Sequence, residues 1–172
     1  ALVEALPPVD VLVNNAGVML SAPWDDYPAA SRRLTLAVNL EAPVALIEAV
    51  APAMIARGAG RVINNASIAG HIGHPDVWYG ASKAGLLNAT KSFARLLGPH
   101  GVVVNAIAAG PVETAMLASI PEARQAQIAA SVISGRFARP AEVAEVMLWL
   151  GTDCPSYVNG VVIDINNGAY MR

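Results

Sequence analysis

Residues 61–107 read RVINNASIAGHIGHPDVWYGASKAGLLNATKSFARLLGPHGVVVNAI, and their pattern decides the fold. Arg61 to Ala66 (RVINNA) is a short apolar run of strand length, and Val102 to Ile107 (VVVNAI) is another. Between them Val77 to Leu97 carries apolar residues at helical period over a length no strand needs. Gly98, Pro99 and Gly101 break the helix before the next strand. Two buried-type strands joined through a long helix form the unit of a parallel sheet, because parallel neighbours need a long crossover connection.

The same alternation extends outward on both sides. Upstream, Val9 to Asn14 (VDVLVN) reads as a strand, and Ala29 to Arg57 as one long helix ended by Gly58-Ala59-Gly60. Downstream, Pro121 to Ala130 and Pro140 to Gly151 each open on a proline, whose fixed φ and missing N–H suit a helix's first turn. Gly160 to Ile165 (GVVIDI) is a last strand before Asn166-Asn167-Gly168. The expectation is an α/β chain of four adjacent parallel strands, forming one domain over residues 1–172. Val9 to Asn14 would then be an exposed apolar edge strand, a liability that residues upstream of Ala1 or another chain would have to cover. The opening ALVEAL reads as part of a helix leading into that strand.

The composition agrees with buried layers. Of 172 residues, 55% are hydrophobic and 14% charged, which excludes a disordered or coiled-coil chain. Eleven Lys+Arg against thirteen Asp+Glu leave a net charge of -2, with no electrostatic footprint for nucleic acid or an anionic membrane. The lone cysteine, Cys154, cannot close an internal disulfide. No secretory signal and no uninterrupted apolar span of membrane length stands out, so the expected location is cytoplasmic.

Chemistry concentrates between the two central strands. Tyr79 and Lys83 are four residues apart on the helix, so they share a face, and an ammonium beside a phenol favours the phenolate. Such a phenol is a usable proton donor and acceptor nearer neutral pH. Ser67, just past the end of its strand, could bond the same substrate oxygen. His71, His74 and Asp76 form a weak metal pattern without further His or Cys nearby, so no metal is expected and the histidines read as cleft lining or exposed. Trp24, Trp78 and Trp149 read as packing or interface residues, with Trp78, next to Tyr79, the one placed to touch substrate. Asn14 and Asn65, polar at strand ends in a buried sheet, should both be hydrogen-bonded.

Val11-Leu12-Val13-Asn14-Asn15-Ala16-Gly17, Val38-Asn39, Asn65-Ala66-Ser67, Tyr79-Gly80-Ala81-Ser82-Lys83 and Asn105 to Thr114 (NAIAAGPVET) follow one another at set spacings. In that order they resemble the short-chain dehydrogenase/reductase family, from Val9 to about Gly168. The resemblance implies a Rossmann-type doubly wound sheet, of which this chain holds strands four to seven, and NAD- or NADP-dependent interconversion of alcohols and carbonyls. It implies that Tyr79 exchanges the substrate proton, Lys83 lowers its pKa and binds the nicotinamide ribose, Ser67 orients the substrate oxygen, and Asn39 supports a proton relay through water. By the same resemblance Asn14, Asn15, Ala16 and Gly17 line the adenosine side, while Gly110, Pro111, Val112 and Thr114 meet the nicotinamide carboxamide. The long helices and GVVIDI resemble surfaces that pair in a homodimer or homotetramer. Thr114 to Pro140, with Met116, Leu117 and Ile120, resembles the family's substrate-covering loop.

Three departures qualify the resemblance. The family's first strand, its TGxxxGxG turn and the helix that holds the pyrophosphate do not precede Ala1, so the expectation is the C-terminal portion of a longer protein. Ala109 stands where the family usually has proline, and the interval from Ser67 to Tyr79 is one residue short. The sequence points to a small-molecule carbonyl or alcohol substrate, with a 3-oxoacyl thioester or ketone as candidate. The alternatives are a non-catalytic subunit of the same fold, and an epimerase or dehydratase of the extended relatives, against which Ser67 and the PVET segment argue.

Overall fold

The computed structural model describes residues 7–118 and 120–172; the helix expected over ALVEAL lies outside the described residues. In chain order the elements are β1 (Val11–Asn14), α1 (Ala29–Leu36), a π-helical turn (Ala37–Glu41), α2 (Ala42–Arg57), β2 (Gly60–Asn65), α3 (Val77–Leu97), β3 (Val102–Ala109), α4 (Ala115–Ala118), α5 (Glu122–Ala130), α6 (Pro140–Gly151) and β4 (Val162–Ile165). Short 3-10 turns follow β2 and α3 at Ile68–Gly70 and Gly98–His100. The four strands lie in the order β1-β2-β3-β4, all parallel. Register runs Val11 to Arg61, Gly60 to Val102 and Ala106 to Val162.

Alternation along the strands sorts side chains between two helical layers. Val62, Val102 and Val104 pack with Ile47, Val50 and Met54 of α2 and Leu97 of α3. Ala106, Ala108 and Val162 meet Leu86 and Leu87 of α3 on the same side. Ile63, Ile107, Ile163 and Ile165 face the other way, against Val143 and Leu150 of α6 and Cys154. Burial on both faces explains why these strands read as continuous apolar runs.

The helix expected over Ala29 to Arg57 is interrupted by the π turn at Ala37–Glu41. Pro43 contributes to that break, since it has no N–H to return to the carbonyl of Asn39, four residues back. Contrary to expectation, the whole run is long and apolar enough by length and composition to cross a bilayer. Its stripe of Ile47, Val50, Ala51 and Met54 is covered by the sheet and α3 instead. The loop expected after Thr114 contains the short α4, and the last strand starts at Val162 rather than Gly160.

Two turns needed unusual backbone. Gly101 has φ 77°, and a Cβ there would lie 2.1 Å from the Gly58 carbonyl oxygen, so two turn backbones touch where only glycine fits. Asn167 takes φ 46°, and its side-chain oxygen accepts from the Ser134 N–H. As expected for an edge, Val11 and Val13 of β1 are 39% and 43% exposed.

Candidate active site

The carboxyl ends of β1, β2 and β3 and the start of α3 open onto a cleft of about 1060 Å³. This is where ligands sit in open parallel sheets, since loops diverge there while the strands hold them. Ser67, Tyr79 and Lys83 all line it, with Asn15, Gly17, Gly110, Pro111, Val112 and Thr114. The interval from Ser67 to Tyr79, one residue short, therefore still brings the two side chains to one cleft.

Tyr79 and Lys83 reach that face because α3 begins where it does. Asp76 accepts the Tyr79 N–H through Oδ1 at 3.0 Å, which fixes the helix's first turn. Lys83 Nζ stands 5.9 Å from the Tyr79 ring centre and donates to the Asn65 carbonyl at 2.7 Å. Lys83 is 4% exposed, and burial pulls its ammonium from 10.5 down to about 8. Burial also pushes the Tyr79 phenol up, a hydrogen bond from the Ser67 side chain pulls it down, and the charge of Asp76 pushes it up again. The expectation that Lys83 lowers the Tyr79 pKa is thus corrected for this arrangement: desolvation penalises both phenolate and ammonium, and it dominates. Ser67 Oγ also accepts the Ala69 N–H at 3.1 Å and stands 3.5 Å from the Ala109 carbonyl, where the missing proline leaves the strand end intact.

Asn39 is fully buried in the π turn. Its Oδ1 accepts the Val18 N–H and its Nδ2 donates to the Val18 carbonyl, both at 2.8 Å, and Nδ2 also reaches Ser82 Oγ at 3.1 Å. The amide is fully engaged in tying the segment after β1 to α3, so the side chain is not free for the relay expected of Asn39. Asn14 and Ala16 do not line the cleft. Asn14 is buried, and its Nδ2 donates to Asn64 Oδ1 at 2.8 Å, from which Asn64 Nδ2 continues to Thr90 Oγ1 at 2.9 Å. That chain stitches β1 and β2 to α3. Asn65 and Asn15 join across the strand ends at 2.7 Å.

Of the bystanders, His74 lines the cleft, its ring 5.2 Å from that of Tyr79. His71 turns away, stacks on Tyr170 and lies 3.6 Å from Asp164, so the two histidines and Asp76 do not converge as a metal set. Trp78 holds Arg32 over its ring at 5.2 Å and is not in the lining, which corrects its expected contact with substrate, and Trp24 is 81% exposed, so of its two expected roles packing within this chain is not seen. Sequence reasoning did not see Asp76 as the cap of α3, although an Asp three residues before Tyr79 at a helix start is the signal for it. It also missed Asn64, Thr90 and Ser82, whose polarity inside apolar periods has no local signature.

A nicotinamide cofactor is tested by the room beside Lys83. A Cβ on Gly17 would stand 3.4 Å from Lys83 Nζ and 3.5 Å from Asn39 Oδ1, so the bare glycine keeps the cleft floor open next to the ammonium. Lys83, Asn15 and Thr114 put an ammonium, an amide and a hydroxyl on the cleft wall, the kinds of group that a ribose and a carboxamide would bond.

A family model described as enoyl-(acyl carrier protein) reductase matches residues 1–170. The chain is 38% identical to the 3-oxoacyl-(acyl-carrier-protein) reductase FabG of Thermotoga maritima, over 93% of this chain and 65% of that protein. It is 38% identical to nodulation protein G of Azospirillum brasilense, over 98% and 69%. Among solved structures, a Beutenbergia cavernae protein assigned as an NAD(P)-dependent gluconate 5-dehydrogenase, with bound NADP, superposes with TM-score 0.93 at 36% identity, covering 98% of this chain and 68% of that one. The chain spans about two thirds of the length of the curated relatives it matches. With this sheet, this cleft and a match over nearly its whole length, the chain belongs to the short-chain dehydrogenase/reductase family.

Proposed function

We propose that the protein carrying this chain is an NAD- or NADP-dependent oxidoreductase that interconverts a carbonyl and a secondary alcohol. The observation that carries the reading is the meeting of Ser67, Tyr79 and buried Lys83 in one cleft. The nicotinamide, when bound, supplies or accepts the hydride at the substrate carbon. In the reducing direction Ser67 orients the carbonyl oxygen and Tyr79 gives it the phenolic proton, which general-acid catalysis needs close at hand. Lys83 holds its charge beside the phenol and offers N–H donors to the ribose, and Asn15, Gly17, Gly110, Pro111, Val112 and Thr114 form the rest of that wall. Proton return to Tyr79 runs by Lys83 and the main chain at Asn39, where Pro43 leaves the carbonyl without its usual helical partner.

The finer reading is a 3-oxoacyl thioester or a ketone as substrate. It is supported by the apolar wall of Met116, Leu117, Ile120 and Ile128, with Arg124 beside them, and by the activities named for two relatives. The same reading makes the complete protein a cytoplasmic homodimer or homotetramer, with Leu34, Val77 and Leu96 among the exposed apolar residues that association would cover. The test is oxidation of NADH and NADPH by the complete protein against 3-oxoacyl thioesters and ketones. Turnover above the blank supports the reading, and none with either cofactor across the panel rejects it in favour of a non-catalytic subunit.

A further inference from the structure

Asp76 is only 3% exposed, lies in the cleft lining, and spends both carboxylate oxygens on neighbours of the chemistry. Oδ1 accepts the N–H of Tyr79 itself at 3.0 Å, and Oδ2 accepts the hydroxyl of Tyr27 at 3.2 Å. These two donors and the helix N-terminus hold the carboxylate in place against α3. The groups around it are few. Lys83 shares Tyr79's helix, His74 packs on the phenol ring and places Nδ1 3.1 Å from the Asp76 nitrogen, Tyr27 comes from the segment before α1, and Arg124 stands on the α5 wall of the cleft.

We propose that Asp76 is a positioning residue for Tyr79, holding the first turn of α3 through Tyr79's own N–H and placing a buried carboxylate beside it. A carboxylate held against the first turn of α3 disfavours a second negative charge on the phenol of that turn. A neutral phenol is the form that gives a proton to a carbonyl, so the carboxylate keeps Tyr79 in the form that reduction needs and delays the phenolate that alcohol oxidation needs. Burial of Tyr79 acts in the same sense as Asp76, and the charge of Asp76 is felt at the phenol. The catalytic meaning rests on the oxidoreductase reading above, whereas the effect of the charge on Tyr79 does not.

The test keeps the cap and removes the charge. Asp76→Asn and Asp76→Ser both retain an acceptor for the Tyr79 N–H, and Asp76→Glu retains the charge. The tyrosine ring carbons of the complete protein are followed by NMR through an alkaline titration, with Tyr79→Phe assigning the signal. The midpoint of Tyr79 is expected to move to lower pH in the Asn and Ser variants and to return towards wild type in the Glu variant. In turnover, alcohol oxidation on the rising limb of its pH profile is expected to be at least about twofold faster in Asp76→Asn at fixed pH, as phenolate forms earlier. An unmoved midpoint in both folded neutral variants overturns the proposal. A moved midpoint in a protein with no turnover supports the role of the charge and rejects the oxidoreductase reading, so the two failures are distinct.

Discussion

Tyr79 and Lys83 are where one atom decides most. Tyr79→Phe removes a single oxygen and leaves the ring against His74, so turnover should fall at least ~10²-fold, as on losing a general acid, with cofactor affinity nearly unchanged. Steady-state kinetics and a cofactor titration on the complete protein check both halves. Lys83 gives a pH prediction. Burial pulls its ammonium from 10.5 down to about 8, so carbonyl reduction should decline as pH rises through about 8, when the charge that would hold the nicotinamide ribose is lost. Stability should move the other way. Between pH 8 and 10.5 the unfolded chain binds the extra proton, so stability rises with pH over that window, by up to about 3 kcal/mol, while below 8 the burial cost is fully present. Tyr79, pushed up from 10, opposes this only above pH 10. Denaturant unfolding of wild type and Lys83→Met at several pH values should show the slope in the first and not in the second.

At the scale of elements, two polar or bare positions hold pieces together. Asn64 sits between Asn14 of β1 and Thr90 of α3, and Asn64→Ala leaves the buried Asn14 amide without its acceptor and Thr90 with only its bond to the Leu86 carbonyl, at a cost of about 1–3 kcal/mol by denaturant unfolding. Glycine turns should divide by their surroundings. Gly101→Ala places a carbon 2.1 Å from the Gly58 carbonyl at a left-handed φ, so it should cost at least ~2 kcal/mol. Gly58 has φ 67° but nothing within 4 Å of a Cβ, so Gly58→Asn should cost only a few tenths of a kcal/mol. The π turn at Ala37–Glu41 belongs here too, since it turns Asn39 inward to Val18 and Ser82 from a helix whose period alone would not single it out.

For the whole molecule, the cleft is proposed to supply the nicotinamide side of a cofactor site, whereas the glycine turn that grips a pyrophosphate in the family is not among these residues. The 172 residues alone should therefore bind NADH or NADPH weakly, and micromolar affinity by calorimetry would contradict this. The edge formed by Val11 and Val13 should make the isolated chain self-associate, which sedimentation would detect as species above 17.8 kDa.

The sequence by itself determined the order of strands and helices, because burial on both faces makes each strand a continuous apolar run and because Gly98, Pro99 and Gly101 can only mark breaks. It also determined that Tyr79 and Lys83 share a face, since four residues are about one turn. Tertiary structure alone decided what that face is worth chemically. Desolvation, not the neighbouring ammonium, sets the direction for Tyr79, and burial depends on every element packed around it. The same holds for Asn39, whose amide is consumed by Val18 and Ser82, and for Asp76, whose second oxygen finds the Tyr27 hydroxyl 49 residues away. Periodicity reports which side of an element is covered; the partner that each buried polar atom finds there comes from residues distant in the chain.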